Sequence, residues 1–161
     1  MSMLGYSDGD QGSYLEIAEA LSQHGASTTE DLKDLWRRIV FNIMIFNVDD
    51  HLRNHGFLYT GSAGWRLSPI YDLEPTPEHE KPRVLHTLID LDDGTASLEV
   101  AYSVVEEFGL KLDDAKDIAK DVSNATKTWH KDAARLGAGK DEIELMQSAF
   151  DHDDLRLGLK G

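Results

Sequence analysis

The sequence contains no cysteine. Disulfides, thiolate metal sites and a cysteine nucleophile are therefore excluded, and a reducing compartment fits. No apolar run approaches the ~20 residues that a membrane-spanning helix needs. The opening MSMLGYSDGDQG has neither a basic start nor an apolar stretch of the secretory kind. The expected setting is cytoplasmic, with no membrane partner. Basic residues are scarce: 16 Lys and Arg against 30 Asp and Glu leave a formal charge of −14. Backbone-led nucleic-acid binding needs clustered Lys and Arg, so no direct contact with nucleic acid is expected. The same balance argues against docking on anionic membranes. Proline is rare, and three of the four prolines fall in EPTPEHEKPR, which must be loop. No glycine-rich phosphate loop of the G-x-G-x-x-G or G-x-x-x-x-G-K-[ST] kind occurs. There is no internal repeat and no low-complexity segment.

What is present is mostly helical patterning. The 161 residues suit one domain, and a compact chain of this length buries roughly 70% of the surface it exposes when unfolded. Residues 1–12, rich in Gly, Ser and Asp, read as a flexible segment. Ser13 and Glu16 form a capping-box pattern that opens a helix from Tyr14 to Gln23, stopped by Gly25. Thr28 and Asp31 repeat the pattern. Apolar residues at 32, 35, 36, 39, 40, 43, 44 and 46 then give a wide apolar face, so this second helix is expected at the centre of the core. GFLYT and WRLSPIYDL read as two short strands around a GSAG turn. One helix is expected from Ser97 to Phe108, closed by Gly109. A longer one runs from Asp113 or Asp114 through Arg135, and a last one from Asp141 to Phe150. Trp36 and Trp129 fall on apolar helical faces, and residues 157–161 read as a frayed tail.

Between the buried helix and the hairpin lies a dense polar run, NVDDHLRNH. Asp and Asn often turn a chain at such a junction. Here, however, Asp49 and Asn54 have the Asp-x₄-Asn spacing of a protein-kinase catalytic loop, and the hairpin leads on to a second acid, Asp72. Phosphoryl transfer needs hard oxygen ligands for magnesium and a carboxylate near the attacking hydroxyl, and these three side chains supply that set.

The run NVDDHLRNHGFL followed by WRLSPIYDLEPTP resembles the signature of the HipA family of bacterial serine/threonine kinases, the toxins of type II toxin–antitoxin modules. The matching positions are Asn47, Asp49, His51, Arg53, Asn54, Leu67, Pro69, Tyr71 and Asp72. The resemblance implies a mainly α, protein-kinase-like C-lobe over residues 13–156, with a small β-hairpin between the catalytic loop and the metal-binding Asp. It implies Mg2+ and ATP as cofactor and substrate. Asp49 would be the catalytic base, and Asn54 and Asp72 the magnesium ligands. His51 would hold the loop as a hydrogen-bonded structural histidine, and Arg53 would meet phosphate or pair with a surface acid. Asp50 is expected to be solvated or capping, and His55 structural. The implied partners are a helix-turn-helix antitoxin of the HipB type and a protein substrate of the translation machinery.

The chain departs from the family pattern in one respect. It shows neither a phosphate-covering glycine loop nor a strand-borne lysine, so it reads as the C-lobe only: a truncated gene product, a cloned domain, or one half of a split kinase whose N-lobe is a separate segment or chain. Alone, it is expected to transfer little or no phosphate. Two other readings compete. His51 and His55, with Asp49, Asp50, His79 and His86, would suit an all-helical metal-dependent phosphohydrolase. A non-catalytic interaction remnant that binds an antitoxin-type partner is the second.

Overall fold

The computed structural model describes residues 4–7 and 9–161. The Ser13 hydroxyl accepts from the Glu16 backbone N–H, and Glu16 accepts from the Ser13 N–H, so the capping box forms and starts α1, Tyr14–His24. Helix α2, Thr28–Ile45, carries the expected apolar face. Leu35, Trp36, Ile39, Val40, Ile43 and Met44 are fully buried in the single cluster that forms the core. The second capping pattern does not form. Ser27 caps α2 without a side-chain bond, Thr28 donates to the Leu21 carbonyl, and Asp31 serves the hairpin instead.

That hairpin pairs β1, Phe57–Tyr59, with β2, Trp65–Leu67, antiparallel, with Phe57 opposite Leu67 and Tyr59 opposite Trp65. Its anchor is Asp31, 2% exposed, which takes the Arg66 Nε at 2.9 Å and the Leu67 N–H at 3.1 Å. Ala26 N–H donates to the Trp65 carbonyl at 2.7 Å. Gly64 lets the turn approach α1: its φ is 110°, and a Cβ there would lie 2.5 Å from the His24 carbonyl oxygen. The second strand ends at Leu67, and SPIYDL continues as loop, with Ser68 N–H still on the Gly56 carbonyl at 2.9 Å.

The C-terminal half is more broken than its periodicity suggests. The expected Ser97–Phe108 helix is α3, Leu98–Ser103, followed after Val104 by a 3₁₀ turn to Phe108. Gly109 closes it in the left-handed region at φ 66°. The expected long helix divides at Lys127–Thr128 into α4, Leu112–Thr126, and α5, Trp129–Arg135. Trp129 is half-buried and stacks on Phe150 at 4.3 Å. Helix α6 spans Lys140–Phe150.

The tail is not frayed: α7, Asp153–Lys160, packs against α4. His152 caps it through Nδ1, and Gly158 sits against Ser123. Residues 1–3 and 8 of the expected flexible segment lie outside the described residues. Elsewhere in it, Tyr6 donates to Glu16, and the Gln11 side chain donates to the His86 carbonyl at 3.1 Å. That stretch is irregular but tied down. Among the described residues, no helix is long and apolar enough to cross a membrane.

Candidate active site

Helix α2 ends at Phe46, which takes a left-handed backbone (φ 56°) while its N–H still reaches the Asn42 and Ile43 carbonyls. For a bulky residue this conformation costs roughly 1–2 kcal/mol. The ring is fully buried with the Arg83 guanidinium stacked 4.7 Å above it, which offsets that cost. The turn ends the helix and starts the loop Asn47–Asn54, whose Val48 and Leu52 stay in the core while Asp49 and Arg53 face solvent. A second loop holds it from behind: His86 N–H donates to the Val48 carbonyl at 2.9 Å, and Thr87 N–H to the Asp50 carbonyl at 3.0 Å. Between those two anchors the Asp49 carboxylate points outward, 60% exposed, with Lys81 Nζ 3.4 Å away. An exposed pair of this kind is weakly held, so the carboxylate stays accessible.

Asp50 points the other way and is 3% exposed, so it is neither solvated nor a cap. It accepts from the Tyr14 hydroxyl and lies 2.9 Å from His55 Nε2. Tyr14 in turn accepts from Asn42 Nδ2 at 3.0 Å, and Asn42 Oδ1 accepts from Asn47 Nδ2 at 3.1 Å. All five side chains are buried. The result is one continuous polar chain through the core, His55–Asp50–Tyr14–Asn42–Asn47, that locks the loop to α1 and α2. Burial, and then the Asp50 charge, raise the Tyr14 phenol well above its ordinary range, so it keeps its proton and donates. Sequence reasoning missed Tyr14, Asn42 and Asp50. The available signal was Asn42, a lone amide on an otherwise apolar helical face.

Beyond the chain of buried groups, Asn54 closes a short 3₁₀ turn, with its N–H on the His51 carbonyl at 2.8 Å, and is 4% exposed. The His51 ring meets His86 edge-on at 6.1 Å, and its Nδ1 is buried without a hydrogen-bond partner. The expected hydrogen-bonded role for this imidazole is thus replaced by a ring contact. Arg53 is exposed, and its carbonyl accepts from the Tyr71 hydroxyl at 2.7 Å. That bond draws the segment carrying Asp72 against the loop. Glu74 N–H on Asn47 Oδ1 at 3.4 Å and Thr76 N–H on the Phe46 carbonyl at 3.1 Å fix its far end. Asp72 itself is exposed and left-handed at φ 58°. Asp tolerates this region better than most residues, though at some cost.

The candidate oxygen donors are the exposed carboxylates of Asp49 and Asp72 and the buried side-chain amide of Asn54. That set suits a hard cation such as magnesium, which takes one or two protein carboxylates plus waters and phosphates rather than a full protein cage. Among the described residues, no group of three or more His, Asp or Glu is placed to hold a metal ion. The four-apart histidines do not share a helical face: His51 precedes the 3₁₀ turn, and His55 is committed to Asp50. His79 lines a separate recess with residues of α6.

The described residues form a mainly helical lobe with one short antiparallel hairpin, which lies between the polar loop and the second acid. The family model of the HipA-like C-terminal domain matches residues 1–129, and the chain belongs to that family. A Haemophilus influenzae protein described as "Putative kinase" is 32% identical over 95 residues, covering 56% of this chain and 28% of that protein. A Sinorhizobium fredii protein described as "Putative kinase Y4dM" is 37% identical over 67 residues, 42% of this chain and 16% of its own. The chain therefore spans under a third of these curated relatives. The fold matches the HipA chain of a Shewanella oneidensis complex of HipA, HipB and operator DNA, with a TM-score of 0.66 at 16% identity. It covers 98% of this chain and 36% of that one.

Proposed function

We propose that residues 13–156, extended by α7, form the catalytic C-lobe of a HipA-like serine/threonine kinase that transfers the γ-phosphoryl group of ATP to a protein hydroxyl. The observation that carries this is the Tyr71–Arg53 bond, which holds the Asp72 segment against the Asp49–Asn54 loop. Asp49, exposed between two backbone anchors, accepts the proton of the attacking hydroxyl at its carboxylate. The buried Asp50–Tyr14–Asn42 chain prevents the loop from relaxing when that proton arrives. Asn54 and Asp72 would hold the magnesium, which would supply neutralisation of the charge that develops on the transferred phosphoryl group. Catalysis then rests on positioning and electrostatics, with no covalent intermediate on this chain.

An N-terminal lobe supplied from elsewhere would cover the nucleotide, so the isolated chain transfers little or no phosphate. In the same reading the cellular partner is a helix-turn-helix antitoxin of the HipB type, the protein that stands beside HipA in the Shewanella complex. The acceptor would be a protein of the translation machinery, and the site of action the cytoplasm. Calorimetric titration of the complete kinase with Mg-ATP tests the metal pair. Asp72→Asn should weaken nucleotide binding and Asp49→Asn should leave it nearly intact; equal affinities in all three proteins would remove Asp72 from the site.

A further inference from the structure

Two open recesses meet at Asp49. One, of about 410 Å³, is lined by Gly9, Asp49, His51, Arg53 and His86. The other, of about 330 Å³, shares Asp49 and His86 and adds Lys81 and Gln11. Neither wall includes Asn54 or Asp72. Nitrogen-bearing side chains are therefore concentrated beside Asp49.

Their placement is set by backbone. His86 N–H is fixed to Val48, and its carbonyl takes the Gln11 amide. The imidazole itself is exposed and edge-on to His51. Lys81 Nζ reaches the Asp49 carboxylate from the same loop, and about half of its side chain is exposed to solvent. In a chain of charge −14, most of the surface repels an acidic partner. The two adjoining recesses together bring Lys81, His51 and His86 around Asp49, so an anion there would meet nitrogen donors rather than the prevailing carboxylates.

We propose that these two adjoining recesses form the acceptor-side anion subsite: they take a carboxylate or phosphate carried next to the hydroxyl that Asp49 serves, so the acceptor is an acidic protein segment. This rests on the kinase reading of Asp49, and it deepens that reading by naming the substrate class. Lys81 and His86 bind the anion, and His51 supports His86 through the ring contact. The nucleotide's phosphates belong with Asn54 and Asp72.

The test is a histidine-ring NMR titration of this chain with phosphoserine, and separately with Mg-ATP. Phosphoserine should shift the His51 and His86 ring signals saturably and leave the exposed His24, His79 and His130 unmoved. Lys81→Ala and His86→Ala should each weaken that binding by about two- to fivefold, the scale of an exposed charge contact. Absence of a saturable shift would overturn the inference, as would equal shifts at all exposed histidines. So would a His86 shift seen with Mg-ATP but not with phosphoserine, since the subsite would then serve the nucleotide. Asp49→Asn separates the two ideas. It should bind phosphoserine at least as well, having lost a neighbouring carboxylate. Wild-type transfer by Asp49→Asn in the complete kinase would sink the catalytic reading without touching the binding result.

Discussion

Replacing Tyr14 by Phe removes a single oxygen from a sealed part of the molecule. The ring stays, so no cavity opens. Tyr14 is 0% exposed, Asn42 1% and Asp50 3%. Its hydroxyl donates to Asp50 and accepts from Asn42, so the substitution leaves one buried acceptor and one buried donor each short of a partner. Asp50 keeps His55 and Asn42 keeps Asn47, which limits the damage. A neutral buried hydrogen bond contributes about 1 kcal/mol and one to a charged group about 1.5–3, so the loss should be roughly 2–4 kcal/mol. The phenol is raised above its ordinary value, so its contribution is fully present below about 10 and is lost only as pH rises through the higher folded value. The penalty should therefore be the same throughout the neutral range. Urea unfolding of the two proteins measures it directly. A change below about 0.5 kcal/mol, the scale of an ordinary surface substitution, would refute the claim that this polar chain locks the loop.

Two further outcomes are expected. A Cβ on Gly158 would lie 2.1 Å from Ser123 Oγ, so Gly158→Ala should destabilise by about 1–2 kcal/mol despite its better helix propensity. The double variant with Ser123→Ala leaves the nearest remaining Ser123 atom, Cβ, at 3.3 Å and should recover that loss in a double-mutant cycle; an additive result would contradict the packing account. His152 donates Nε2–H to the Met44 carbonyl and accepts the Leu155 N–H at Nδ1, a pairing that requires the neutral ring. Burial, and then Arg83, lower its pKa, so its contribution is present above the ordinary value of 6.5 and is lost as pH falls through the lower folded value. The unfolding free energy should fall with acid over that window by at most about 1.4 kcal/mol per pH unit from this group. The slope should be shallower in His152→Asn, which keeps a capping oxygen; an unchanged slope would place the acid sensitivity elsewhere.

The sequence carried the elements whose signals are local. Ser13 and Glu16 announce α1, the apolar period from Leu32 announces α2, and Gly109 marks its turn. The division of α4 from α5 was not legible, because the stripe of Ile118, Val122 and Ala125 continues in period past the break. Helix α7 was missed because DDLRLGLK is short and contains a glycine, and what holds it is the close approach to Ser123, Arg83 and Leu98. The motif placed Asp49, Asn54 and Asp72 in a workable order along the chain. It could not separate Asp49 from Asp50 by environment, because the partners of Asp50 come from α1 and from beyond the loop. Nor could it place Lys81 or His86 beside Asp49, since only backbone pairing between two loops brings them there.

The most direct test of the account compares Asp49→Asn with Asp50→Asn in single-turnover phosphoryl transfer by the complete kinase, with unfolding measured on the same proteins. Asp49 is exposed and Asp50 buried. Asp49→Asn should therefore abolish most transfer with stability nearly unchanged, and Asp50→Asn should lower stability. Transfer retained by Asp49→Asn, or a stability loss there as large as that of Asp50→Asn, would contradict the assignment of the two carboxylates.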